Sequence, residues 1–156
     1  MKKVNQKVFS KVQTDLAGEV LRNPSSSEEE KNKALEILSN WRGAHSYPMH
    51  VFKQRLKNVS ERIDPSALSA QRLKRVPSII KKLNREYDGQ KATMKLTQMQ
   101  DIAGCRAVMS DVSLAKKLYL DHYIKGDIKH KKVNEKDYIQ NPKPDGHLRF
   151  RPYFQL

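Results

Sequence analysis

The sequence predicts an α+β fold, a helical N-terminal region followed by a mixed β-sheet flanked by helices. Two observations predict it. Before residue 64, apolar residues recur at helical spacing in three separate stretches. After residue 77, helical patterns alternate with short strand-like runs, an order that packs helices on a sheet.

Residues 4–22 place Val4, Val8, Val12, Leu16 and Val20 at steps of four, the apolar stripe of an amphipathic helix, and Asn23-Pro24 ends it. Ser27-x-x-Glu30 has the form of a capping box. Ala34, Leu35, Ile37, Leu38 and Trp41 follow as a second stripe that stops at Gly43, with Trp41 assigned to the core. Ser46 opens a third helix through Val51, Phe52, Leu56, Val59 and Ile63. Asp64-Pro65-Ser66-Ala67-Leu68-Ser69 reads as a linker. A helix is expected over residues 77–87, then a turn at Asp88-Gly89 and a strand over 102–109. Ser110-Asp111 caps a helix lined by Val112, Ala115, Leu118, Tyr119 and Tyr123. Gly126-Asp127 turns into a strand from Ile128 to Val133, and Asn141 to Gly146 forms a rigid turn. Residues 147–156 have strand-like composition interrupted by Pro152.

The 156 residues fit about one domain. Thirty-one Lys and Arg against 17 Asp and Glu give a net charge of +14, a field that favours polyanionic partners such as nucleotides or nucleic acid. Apolar residues are only 37 % of the chain, so a modest core is expected. The single cysteine, Cys105, can form no internal disulfide and suits a reducing compartment. No apolar run approaches the roughly 20 residues of a membrane span. A soluble, cytoplasmic protein that makes no membrane contact is expected.

The stretch from Arg72 to Arg106 carries the chemistry. Arg72 and Lys74 precede a helix that Pro77 suits, its φ being fixed near helical values. Ser78, Lys82 and Arg85 recur along one face of that helix. A helix N-terminus with a hydroxyl and nearby cations suits a phosphate chain. Asp101, just before the 102–109 strand, supplies the opposite sign, as a carboxylate that holds Mg²⁺ would. Taken alone, these residues also fit a solvated basic face and a turn aspartate.

The order Arg72-x-Lys74-x-x-x-Ser78-Ile79, then Asp101-Ile102-Ala103-Gly104-x-Arg106, then Asp137-Tyr138-Ile139-x-x-Pro142-Lys143-Pro144-Asp145-Gly146 resembles the synthetase domain of the RelA/SpoT family. The resemblance runs from about Trp41 to Gly146. It implies a nucleotidyltransferase-like mixed sheet and transfer of a pyrophosphoryl group from ATP to the 3′-hydroxyl of GDP or GTP, giving (p)ppGpp. It further implies that Arg72 packs on adenine, that Lys74, Ser78 and Lys82 contact the ATP phosphates, and that Asp101 binds Mg²⁺. Arg106 would flank the adenine by guanidinium stacking. Lys143 would reach the acceptor's phosphates, and His147 stands where the family has a guanine-stacking Tyr. On this reading residues 1–63 are an N-terminal helical region, 64–146 an incomplete synthetase domain and 147–156 a divergent tail.

After Gly146 the chain departs from the family pattern. Arg149 and Arg151 stand where Ser and His are expected, and no segment resembles the family's Glu-x-Gln-Ile-Arg-Thr, whose Glu is catalytic. This predicts a C-terminally truncated member with a rate reduced by orders of magnitude. Three readings follow. One is a small single-domain alarmone synthetase. A second is a relative of toxic small synthetases that pyrophosphorylate the tRNA 3′ end, which Asn40-Trp41-Arg42-x-x-His45-x-Tyr47-Pro48 and the charge of +14 favour. The third is an inactive remnant that only binds nucleotide.

Overall fold

The computed structural model describes residues 9–91, 93–125, 132–142, 144 and 150–154. Its architecture is α+β, as expected. Three helices come first: α1 (Lys11–Arg22), α2 (Glu28–Ala44) and α3 (Ser46–Ile63). Strand β1 (Leu68–Leu73), helix α4 (Val76–Leu83) and a hairpin of β2 (Glu86–Tyr87) and β3 (Gln90–Lys91) follow. A 3-10 turn (Leu96–Gln98) leads to β4 (Ala103–Val108) and α5 (Val112–Leu118), which continues as a π-helical stretch, Tyr119–Ile124. Strands β5 (Lys132–Asp137) and β6 (Phe150–Phe154) complete the order. Among the described residues the sheet consists of three two-stranded pieces, β1–β4, β2–β3 and β5–β6.

The chain divides into two units. The first takes the described residues within Met1–Met49 and Arg72–Gly104, and the second those within His50–Gln71 and Cys105–Leu156.

In the first unit, Leu38, Ile79, Leu83, Leu96, Met99 and Ile102 form the buried core, with Leu21, Leu35, Trp41, Val76 and Met94 packed on it. Trp41 packs on this core, as the stripe predicts, and its ring and that of His45 make a T-shaped pair with centroids 4.9 Å apart. Helices α1 and α2 begin in capping boxes. Ser27 with Glu30 is the predicted one, and Ser10 with Gln13 opens α1. The Val4–Val20 stripe needs correction. Val4 and Val8 lie outside the described residues, while Val12 and Leu16 are 67 % and 52 % exposed. The face that α1 buries is small instead: Thr14, Ala17 and Gly18. A Cβ at Gly18 would lie 3.0 Å from the Cβ of Leu96, so only a small residue permits this approach.

Helix α4 ends at Leu83, with Asn84 as its C-cap, rather than running to residue 87. Glu86 and Tyr87 pair with Lys91 and Gln90 around Asp88 (φ 51°) and Gly89 (φ 76°), both left-handed. Consecutive left-handed residues are what a tight hairpin turn demands, and Asp-Gly supplies them. That turn claims the residues assigned by spacing to the last helical turn.

In the second unit, β1 begins at Leu68 inside the expected linker. Asp64 turns the chain there: its carboxylate accepts the Ser66 hydroxyl at 2.6 Å and the Ser66 N–H at 2.9 Å. Strand β4 alternates half-buried Ala103, Cys105 and Ala107 with exposed Gly104, Arg106 and Val108, close to the predicted strand. Asp111 caps α5 by accepting the Leu114 N–H at 2.9 Å. Strand β5 covers Lys132 to Asp137, later than the expected 128–133 span, of which 128–131 lie outside the described residues. It pairs antiparallel with β6, where Pro152 sits opposite Glu135.

Candidate functional site

The core of the first unit dictates where its charges go. Helix α4 buries Ile79 and Leu83, which leaves Ser78 and Lys82, one turn apart, on a half-buried flank. Asp101 is strung between Met99 and Ile102, 3 % and 1 % exposed, so its backbone is tethered on both sides by core residues. Lys74 follows β1, and its N–H donates to the Ile102 carbonyl at 2.7 Å. These constraints converge on one cluster. Lys74 Nζ stands 3.1 Å from Asp101 Oδ2 and Lys82 Nζ 2.6 Å from Oδ1. Each carboxylate oxygen has its own ammonium.

The cluster is ionic at neutral pH. Burial works against ionisation of Asp101, but hydrogen bonds from Lys82 and Lys74 outweigh it and hold the carboxyl below its ordinary range. Its side chain is 27 % exposed, so the pair is reachable from solvent. One carboxylate and two ammoniums leave a local excess of positive charge, an arrangement that would receive an anion.

Arg42 joins this cluster, and sequence spacing did not select it for the site. Its Nε donates to the Lys74 carbonyl at 2.7 Å, bracing the residue that carries one of the two ammoniums. Only α2 packing against this segment brings the two together across 32 positions.

Arg72 is exposed on β1, two residues before Lys74, and Arg75, the N-cap residue of α4, makes no side-chain cap. Pro77 occupies the second helical position, since the helix opens at Val76. A Cβ at Gly104 would meet nothing within 4 Å, so packing does not demand glycine there. Arg106, in the second unit, is exposed on the outward side of β4. Beside it, burial pushes the Cys105 thiol up from its ordinary range despite the opposing charge of Lys53, as a packing residue rather than a nucleophile requires. Lys143 and His147 lie outside the described residues. The turn leading to Lys143 is described: Asp137 Oδ1 accepts the N–H groups of Ile139 and Gln140 at 2.8 and 3.1 Å.

Among the described residues, no three His, Cys, Asp or Glu side chains gather as a self-sufficient metal site. Asp101 nonetheless fits Mg²⁺, which takes hard oxygen ligands from one or two carboxylates and completes its shell with phosphate oxygens and water. Among the described residues, no helix is long and apolar enough to cross a membrane.

None of the curated proteins compared with the chain matches it. The family described as a region found in RelA / SpoT proteins does, over residues 71–153. That span opens one residue before Arg72 and contains Lys74, Lys82 and Asp101, the three groups that the core draws together. The chain belongs to the RelA/SpoT family.

Proposed function

We propose that the chain is a pyrophosphotransferase that moves a pyrophosphoryl group from ATP to the 3′-hydroxyl of GDP or GTP. The observation that carries this reading is the Asp101–Lys74–Lys82 cluster inside the family-matched span. In the reaction a bond forms between the acceptor's 3′ oxygen and the β-phosphorus of ATP. The bond from that phosphorus to the α-phosphoryl oxygen breaks, and AMP leaves.

Lys74 and Lys82 donate to the ATP phosphates, with the Ser78 hydroxyl one turn back along α4. Both ammoniums end flexible stems, so they can exchange the Asp101 carboxylate for phosphate oxygens without moving the backbone. The released carboxylate is the site for Mg²⁺, which when bound neutralises charge on the transferring group. The family resemblance assigns adenine binding to Arg72 and Arg106. Lys143 holds the acceptor's phosphates and His147 stacks on its base. Residues 64–146 carry this chemistry behind the helical region 1–63, and tail 147–156 follows it.

The net charge of +14 favours a second acceptor, the 3′ end of tRNA. A transfer assay with γ-labelled ATP and Mg²⁺, offering GDP, GTP and deacylated tRNA in parallel, tests both. Label on a guanine nucleotide supports the first reading, and label on tRNA that weakens steeply with salt supports the second. ATP binding without transfer to any acceptor would mark a nucleotide-binding remnant and sink both.

A further inference from the structure

Helix α1 lies outside the family-matched span yet grips the segment that ends in Asp101. Asp15 Oδ1 accepts the Thr97 N–H at 2.9 Å and the Thr97 hydroxyl at 2.8 Å. Three residues on, Gly18 admits Leu96, which is fully buried against α1 and the core. Four residues further, Arg22 Nη2 donates to the Met94 carbonyl. Positions 15, 18 and 22 share one helix face, and all three act on residues 94–97.

The other side of α1 makes these ties matter. Val12 and Leu16 stay exposed, and the large apolar residue by which α1 reaches the core, Leu21, lies near its C-terminal end. Around Asp15 the helix is seated by small residues and by the polar ties to 94–97, a segment followed four residues later by a carboxylate with only two side-chain torsions. Such a side chain cannot make up for a displaced backbone, and misplacement by about 1 Å is costly in a transfer site.

We propose that Asp15, Gly18 and Arg22 form a positioning face on α1 that fixes residues 94–99 and thereby the Asp101 carboxylate between Lys74 and Lys82. These are positioning residues and touch no substrate. The inference rests on the reading of the Asp101 cluster as the nucleotide site.

The test compares wild type with Asp15→Ala, Asp15→Asn and Asp101→Ala in the full chain. One readout is amide hydrogen exchange at Thr97, Gln98 and Met99, which needs no nucleotide. The other is calorimetric affinity for a non-hydrolysable ATP analogue, with and without Mg²⁺. Asp15→Ala should speed exchange at those three amides about tenfold while α4 keeps its protection. It should also cut the Mg²⁺-dependent gain in affinity about tenfold and leave the Mg²⁺-free affinity unchanged. Asp15→Asn, whose Oδ1 can still accept both bonds, should fall between it and wild type. If Asp15→Ala does not fold, Thr97→Val removes the hydroxyl donor alone, with an expected loss of about threefold. Unchanged exchange overturns the proposal, as does faster exchange with an intact Mg²⁺ gain. An Asp101→Ala variant that keeps the Mg²⁺ gain overturns the nucleotide-site reading together with the positioning role. A gain lost in Asp101→Ala but kept in Asp15→Ala overturns the positioning role alone.

Discussion

Two carboxylates, one in each unit, are held below the ordinary range by opposite means. Asp64 in the second unit is 4 % exposed, and it accepts from neutral groups of Ser66 and Ser110. The Ser66 hydroxyl contributes most and the Ser110 N–H, 2.7 Å from Oδ2, comes next, bringing its pKa from 3.8 to about 2. Its donors include two backbone amides, fixed by the turn after α3 and the turn before α5. Asp101 in the first unit has two ammonium partners on long stems and keeps more than a quarter of its side chain exposed. The first arrangement cannot trade partners without unfolding, whereas the second can trade them for phosphate. A lowered carboxyl thus accompanies a permanent anchor in one unit and an exchangeable charge cluster in the other.

The largest expected effect lies on the exchangeable side. Asp101→Ala should lower transfer by about a hundredfold or more, as loss of a group acting on developing charge does. Its melting temperature should change little, because the two lysines it releases can reach solvent. A large drop in melting temperature without loss of transfer would break the comparison by making Asp101 the anchor. Lys82→Met should come next, weakening nucleotide affinity about tenfold, with the Asp101 carboxyl rising toward its ordinary pKa as its shorter ion-pair partner is removed. Titration of the Asp101 carboxyl by NMR in wild type and variant measures that movement.

Asp64→Asn should behave oppositely. The amide keeps an acceptor for Ser66 but turns an NH₂ toward the Ser110 N–H, setting donor against donor. The unfolding midpoint should fall by roughly 5–10 °C, while nucleotide affinity measured on the folded protein stays within about twofold. The pH profile sharpens the point. A folded pKa of about 2 against an ordinary 3.8 means that Asp64 contributes full stability above about pH 4 and loses it as pH falls toward 2. Acid unfolding of wild type should therefore show a stability loss over that window that Asp64→Asn lacks.

The smallest effect is expected at Ser27, where Glu30 takes a similar pair of bonds in solvent, from the Ser27 N–H at 2.8 Å and its hydroxyl at 2.9 Å. Ser27→Ala should cost only about 1 kcal/mol, read from denaturant unfolding. A loss as large as that of Asp64→Asn would mean that burial is not what separates the two.

Much of this molecule is local chemistry and was readable as such. The Ser27-x-x-Glu30 box, the Asp88-Gly89 turn, the Asp111 cap and the strand after Asp101 each depend on residues within a few positions of one another. The charges at Lys74, Lys82 and Asp101 were legible as candidates for the same reason: their types and order are written in the chain, and the family match spans them. Strand β1 was not legible. Leu68-Ser69-Ala70-Gln71-Arg72-Leu73 contains no β-branched or aromatic residue, and it is a strand because β4 lies beside it.

Sequence alone determined the class of the fold, the starts of α2, α3 and α5, and the excess of cations that any partner must meet. Tertiary structure decided which side of α1 is inside, because the close approach of Leu96 to Gly18 leaves no room for a large residue there, while Val12 and Leu16 stay exposed. It also decided that Arg42 braces Lys74 and that Asp15 holds Thr97, contacts across 32 and 82 positions. Spacing along a chain reports which residues share a face, but what that face meets is set by packing, which depends on residues far away in sequence.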